Sequence, residues 1–180
     1  MPRESTQPGQ IIREIPLIAR YSRHNENNDY RFRTFLKAEL DLSNRDLDAV
    51  VQEITDEVWK QIDCTTCANC CKTLQIVVDD ADIRRLAAKL GMSFAAFSKK
   101  YVCVDPDKTK YFASTPCAFL GADNRCTVYE DRPQACRDFP YLHTTGFRQR
   151  TFMMIDNRAT CLIVFNVWQR LKARLWRRRR

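Results

Sequence analysis

Four cysteines fall within the eight residues Cys64-Thr65-Thr66-Cys67-Ala68-Asn69-Cys70-Cys71, and five more follow at positions 103, 117, 126, 136 and 161. A thiol can serve as a small apolar core group, a disulfide partner, a nucleophile or a metal ligand. Core cysteines sit singly on apolar faces, whereas these cluster among polar residues. A disulfide framework needs an oxidising compartment. Here the count is odd, adjacent Cys70 and Cys71 make an awkward bridge, and residues 1–10 contain no apolar secretion core. The expectation is therefore a reduced, cytoplasmic protein whose thiols bind metal. A C-x2-C step lets a tight turn aim two thiolates at one ion, and the second step, Cys67 to Cys70, aims a third. Tetrahedral zinc, with Zn–S near about 2.3 Å, uses such loops, and so do iron–sulfur clusters. The spacing points to a soft metal and leaves zinc and iron–sulfur both open.

Cys71 adds two geometric alternatives. In an extended segment Cys70 and Cys71 face opposite ways and could feed different sites. In a continuous helix Cys64, Cys67 and Cys71 share one face. Either arrangement needs thiolates from elsewhere in the chain. Lys72, Arg125, Arg132 and Arg137 stand near cysteines in sequence and could offset the roughly −2 charge of four thiolates around a dication. Chance placement in a basic chain explains them equally well.

The elements that must position these thiols are mostly helical by pattern. Ser43 with Asp46 suits a helix start, and Leu47, Val50, Val51, Ile54, Val58 and Ile62 recur at helical spacing. That helix, about 44–62, delivers the chain into the cysteine loop. Leu74-Gln75-Ile76-Val77-Val78 reads as a strand. Asp79 or Asp80 then caps a helix stopped by Gly91, so Asp79, Asp80 and Asp82 are read as dipole partners rather than as a metal or acid–base site. Ser93 caps a second helix. Asp105-Pro106-Asp107 is a turn. Residues 121–124 read as a hairpin turn that brings Cys117 and Cys126 together. Asp131 and Pro133 suit a helix start, and Pro140 a stop. Residues 152–155 are expected as a last strand, and from Asn157 onward an amphipathic helix carries Cys161 in its first turn. Residues 31–40 suggest a short helix, and residues 1–30 a loose arm, docked by Ile11, Ile12, Ile15, Leu17 and Ile18. The predicted fold class is mainly α with short β strands (α+β). It forms a single compact domain over residues 31–176, built around a cysteine-rich metal site and followed by a basic tail at 177–180.

The net charge of +8 is concentrated at one end: of 30 bases, seven (Arg170, Lys172, Arg174, Arg177, Arg178, Arg179 and Arg180) lie in the last eleven residues, leaving 23 bases against 22 acids elsewhere. Such a block can touch nucleic acid or an anionic surface, or can simply be the solvated end of a helix. No apolar run approaches the roughly 18 residues of a membrane helix. His24 and His143 read as surface residues.

The chain resembles the cysteine-cluster family of zinc- or iron-chelating domains. The residues that carry the likeness are Cys64-x2-Cys67-x2-Cys70-Cys71, Pro116-Cys117-Ala118-Phe119-Leu120, the run from Cys126 to Pro133, Cys136-Arg137-Asp138-Phe139-Pro140, and Cys161. The resemblance implies an eight-thiol ligand set: Cys64, Cys67, Cys70, Cys71, Cys117, Cys126, Cys136 and Cys161. Cys103 falls outside it. Flagellin lysine N-methylases carry a related cluster and use S-adenosylmethionine. This chain has only four glycines and no G-x-G loop, so that activity is not carried over. The implied function is binding of an iron–sulfur cluster, zinc or both, in redox chemistry, metal handling or scaffolding. Two alternatives are a metal-dependent enzyme, for which Asp138 and His143 lie close to Cys136 in sequence, and a zinc-stabilised nucleic-acid module using the arginine tail. The latter lacks the expected interleaving of basic and aromatic residues.

Overall fold

The computed structural model describes residues 10–176. In chain order the elements are α1 (Ile15–His24), α2 (Glu26–Thr34), a π-helical turn (Phe35–Glu39), α3 (Asn44–Trp59), α4 (Cys64–Cys67), α5 (Asn69–Thr73), α6 (Asp80–Lys89), α7 (Phe94–Tyr101), β1 (Val102–Val104), β2 (Lys110–Phe112), a 3-10 turn (Tyr129–Asp131), α8 (Gln134–Asp138), α9 (Thr151–Asn157) and α10 (Leu162–Leu175). The chain is mostly helical with one small antiparallel sheet, in keeping with the α+β expectation. It divides into two compact units, Met1–Asp63 with Pro140–Arg180, and Cys64–Phe139.

In the first unit α10 lies against α1, α3 and α9. Helix α3 forms as its sequence dictates: the Ser43 hydroxyl accepts from the Asp46 amide at 3.1 Å, and Leu47, Val51, Ile54 and Val58 are buried along one stripe. Trp168 of α10 meets Phe32 edge-on at 5.0 Å and donates its indole N–H to Asp29 at 2.8 Å. Asp29 is fully buried and also faces Arg158, at 2.5 Å, and Lys172. Burial pushes the Lys172 ammonium below its ordinary pKa, against the pull of Asp29. Three bases of the C-terminal block are thus engaged within this unit: Lys172 with Asp29, Arg170 with Glu57 at 2.9 Å, and Arg174 with Glu53 at 2.9 Å. Residues 177–180 lie outside the described residues.

The second unit has its own apolar core. Val78, Ile83, Leu86, Ala87, Phe97, Phe112, Phe119 and Val128 are buried together, with Cys117 and Cys126 packed against them. Helix α6 carries a capping box, the Asp82 amide donating to Asp79 at 2.7 Å and the Asp79 amide donating back to Asp82. Gly91 ends its turn at φ +64°. Ser93 caps α7 through the Ala96 amide at 3.1 Å. β1 pairs antiparallel with β2, with Cys103 opposite Tyr111.

Four expectations are corrected. Within the expected loose arm of residues 1–30, residues 15–24 form α1 and α2 begins at Glu26. No side chain caps α1, although Pro16 stands in its first turn and Arg23 and His24 in its last. It is held by burial of Ile18, by an edge contact of Tyr21 with Phe165 at 5.3 Å, and by Asn166, which exchanges hydrogen bonds of 2.9 and 2.8 Å with the Ile12 backbone. Residues 152–155 lie in helix α9 rather than in a strand, because Thr151, Met154, Ile155 and Arg158 are the buried positions, at a spacing only a helix puts on one face. Of residues 74–78 only Val77 bridges to Tyr111, since Asp79 already starts a helix. Cys161 stands at the N-cap of α10, and Leu162 to Trp168 are buried all round rather than along one face.

Candidate metal centre

The dense cysteine loop is neither extended nor one helix. Ala68, in left-handed backbone at φ 49°, separates the turn carrying Cys64 and Cys67 from the turn carrying Cys70 and Cys71. The break removes both geometric alternatives drawn from sequence. Cys70 and Cys71 now bring their sulfurs to 4.0 Å, close to the edge of a tetrahedron with metal–sulfur bonds of about 2.3 Å, which is about 3.8 Å. Cys64 is exposed and Cys67 half-buried at the two ends of α4.

The hairpin expected over 121–124 is present. Gly121 donates to the Arg125 carbonyl at 2.7 Å, Leu120 bridges Cys126, and the Thr127 amide donates to the Phe119 carbonyl at 2.9 Å. It sets Cys117 beside Cys126, and the Cys117 amide donates to the Cys71 carbonyl at 2.8 Å, tying the hairpin to α5. The amide two residues beyond each hairpin cysteine, Phe119 for Cys117 and Val128 for Cys126, donates to that sulfur and favours its thiolate. Cys136 enters from α8.

These sulfurs affect one another electrostatically. Burial raises the Cys117 and Cys126 thiols, and a charge on Cys71 raises both further. Burial pushes Cys136 up to about 12, with Cys71, Cys117 and Cys126 adding to the shift and Arg132 opposing it. Cys71 is raised first by its contact with the Cys70 thiol and then by burial. Cys71, Cys117, Cys126 and Cys136 therefore share one locale, with Cys70 beside Cys71. Among the described residues no three His, Cys, Asp or Glu side chains already stand at ligand geometry about one point. The donor chemistry nevertheless fits a soft cation: half-buried thiols with raised pKa, two of them met by backbone amides, give up their protons to a metal that takes their place.

The remaining candidates separate. Cys161 is buried in the first unit, at the start of α10. Cys103 occupies the middle of β1, 3.7 Å from the Tyr111 carbonyl and 3.7 Å from the Gln75 amide nitrogen. His143 belongs to the first unit, where it meets Asp56 at 2.9 Å and the Trp59 ring at 5.5 Å. Asp138 accepts from Gln134 at 2.7 Å. Sequence reasoning missed Arg85, whose guanidinium reaches the carbonyls of Asp131 and Arg132 just ahead of Cys136. Its contacts span 46 and 47 positions, so nothing in its neighbourhood of the sequence marks it.

Cysteines follow one another here on a loop, a hairpin and a short helix, and that order is what the family comparison recognises. The chain belongs to the CxxCxxCC family, described as "Putative zinc- or iron-chelating domain", whose model matches residues 63–161. The match takes in the whole Cys64–Phe139 unit and runs on to Cys161. No curated protein and no solved structure gives a significant match. No helix among the described residues is long and apolar enough to cross a membrane.

Proposed function

We propose that the protein is a zinc- or iron–sulfur-binding module whose ligands are Cys64, Cys67, Cys70, Cys71, Cys117, Cys126, Cys136 and Cys161, acting in redox chemistry or metal handling in a reducing cytoplasm. The observation that carries this reading is that the Cys117 amide bonds the Cys71 carbonyl at 2.8 Å while the hairpin sets Cys117 beside Cys126, joining thiols of separate segments in a chain that matches the chelating family over residues 63–161. Four thiolates complete a tetrahedral zinc site, and an iron–sulfur cluster is likewise held by cysteine thiolates. When bound, zinc supplies structural closure and an iron–sulfur cluster supplies an electron-transfer centre. The chain's own part is to hold Cys71, Cys117, Cys126 and Cys136 protonated until metal arrives and to present the Phe119 and Val128 amides to the sulfurs of Cys117 and Cys126. Purification without oxygen, followed by metal and acid-labile sulfide analysis, tests the proposal. Stoichiometric iron with sulfide and broad visible absorption identifies a cluster, and a colourless protein with stoichiometric zinc identifies zinc sites. A metal-free protein with all thiols freely titratable overturns the proposal.

A further inference from the structure

Cys136 sits on a helix of five residues, too short to hold its own direction. Its aim therefore depends on what fixes the segment 131–134 before it. Asp82, on α6, is buried, with its side chain 5% exposed. It accepts from the Gln134 amide at 3.1 Å and from Arg85 at 2.5 Å. Arg85 in turn donates through Nε to the Asp131 carbonyl at 3.2 Å and through Nη2 to the Arg132 carbonyl at 3.0 Å. Arg137 donates to that same Arg132 carbonyl at 3.1 Å, and the Cys136 amide donates to the Pro133 carbonyl at 3.0 Å. Helix α6 thus grips both sides of the bend that launches Cys136.

From this geometry we infer that Asp82 and Arg85 form a strut whose task is to position Cys136 as a ligand, an inference that rests on the proposed metal site. Arginine suits it because a planar fork reaches two carbonyls and a carboxylate at once, which a lysine ammonium cannot do in fixed geometry. The strut is a positioning device and touches no metal itself.

The test uses the full chain and two probes, Zn2+ for affinity by chelator competition and Co2+ for thiolate-to-cobalt charge-transfer absorption. The control is Asp80→Asn, which removes the Asp80–Lys110 pair from the same helix without touching the 131–134 segment. Arg85→Ala is expected to weaken Zn2+ binding 10- to 100-fold, the usual effect of losing a ligand's support. It should also lower the cobalt absorption toward that of Cys136→Ser. Arg85→Lys should recover part of both, and Asp80→Asn should match wild type. If Cys136→Ser loses metal while Arg85→Ala binds and absorbs as wild type, the strut is wrong and the site stands. Equal losses in Arg85→Ala and Asp80→Asn also overturn the strut, since they would report general loosening. If Cys136→Ser itself binds as wild type, the site reading falls. Should Arg85→Ala not fold, Arg85→Lys and Asp82→Asn decide by the same readouts, and wild-type values in both would overturn the inference.

Discussion

At the scale of single residues, the nine thiols differ by surroundings more than by spacing. Replacing a ligand thiolate by serine substitutes a hard, weak donor for a soft one. Cys67→Ser and Cys136→Ser are therefore expected to lose bound metal. Cys103→Ser should keep it, at a stability cost of at most about 1–3 kcal/mol for an imperfectly paired hydroxyl. Metal content per chain checks this, and equal loss in all three would refute the ligand set. The pH dependence follows from Cys136. In the metal-free fold its thiol is raised from 9.0 to about 12 by burial and by neighbouring sulfurs. Below pH 9 both folded and unfolded chains hold that proton and the contribution is complete. Between pH 9 and about 12 the unfolded chain releases the proton first, so stability falls as pH rises. Denaturant unfolding of metal-free protein across this range should show the fall, and Cys136→Ala should show less of it. The loaded protein should behave oppositely, losing metal as pH drops, because protons compete for thiolates.

At the scale of elements, the cysteine loop turns on Ala68. Its left-handed backbone, φ 49°, is strained for a residue with a β-carbon. Ala68→Gly is expected to be nearly neutral, since relief of strain offsets added freedom in the unfolded chain. Ala68→Val places a β-branched side chain where it is least tolerated. It should cost the protein its metal, read as loss of stoichiometric binding beside a retained helical circular dichroism signal. Wild-type metal content in Ala68→Val would show that the break between α4 and α5 does not matter. The caps behave as their sequences announce. Ser43, Asp79 and Ser93 each bond an amide three residues on, and these starts were legible because the contact is local. Helices α1 and α9 were not legible, because what stabilises them is distant: α10 against α1, and Arg158 against Asp29.

At the scale of the whole molecule, the first unit is secured by a buried charge cluster. Removing Asp29 leaves Arg158 and Lys172 facing each other without an anion. Asp29→Ala should destabilise by about 3–5 kcal/mol, whereas Glu53→Gln, which breaks only the exposed pair with Arg174, should change stability by less than about 1 kcal/mol. Chemical denaturation of both variants separates the two cases, and similar values would show that the buried cluster contributes no more than a surface pair. Because Arg170, Lys172 and Arg174 already have acidic partners, any nucleic-acid binding should fall to residues 177–180. Deleting those four should leave melting temperature and metal content unchanged. Salt-dependent binding that persisted after the deletion would place the basic surface elsewhere.

The sequence by itself determined the chemistry and the local starts: thiols at x2 spacing, turn residues at 121–124 that close a hairpin between Cys117 and Cys126, and capped helices α3, α6 and α7. Each depends on groups only a few residues apart, where the backbone leaves little choice. Tertiary structure alone decided which cysteine-bearing segments lie side by side. A hairpin amide bonds the Cys71 carbonyl, and an arginine on α6 reaches the carbonyls of Asp131 and Arg132 ahead of Cys136. Those contacts join residues 46 or 47 positions apart. Spacing along a chain carries no record of such pairings, because the energy that makes them is gained only when separate apolar faces close on one another.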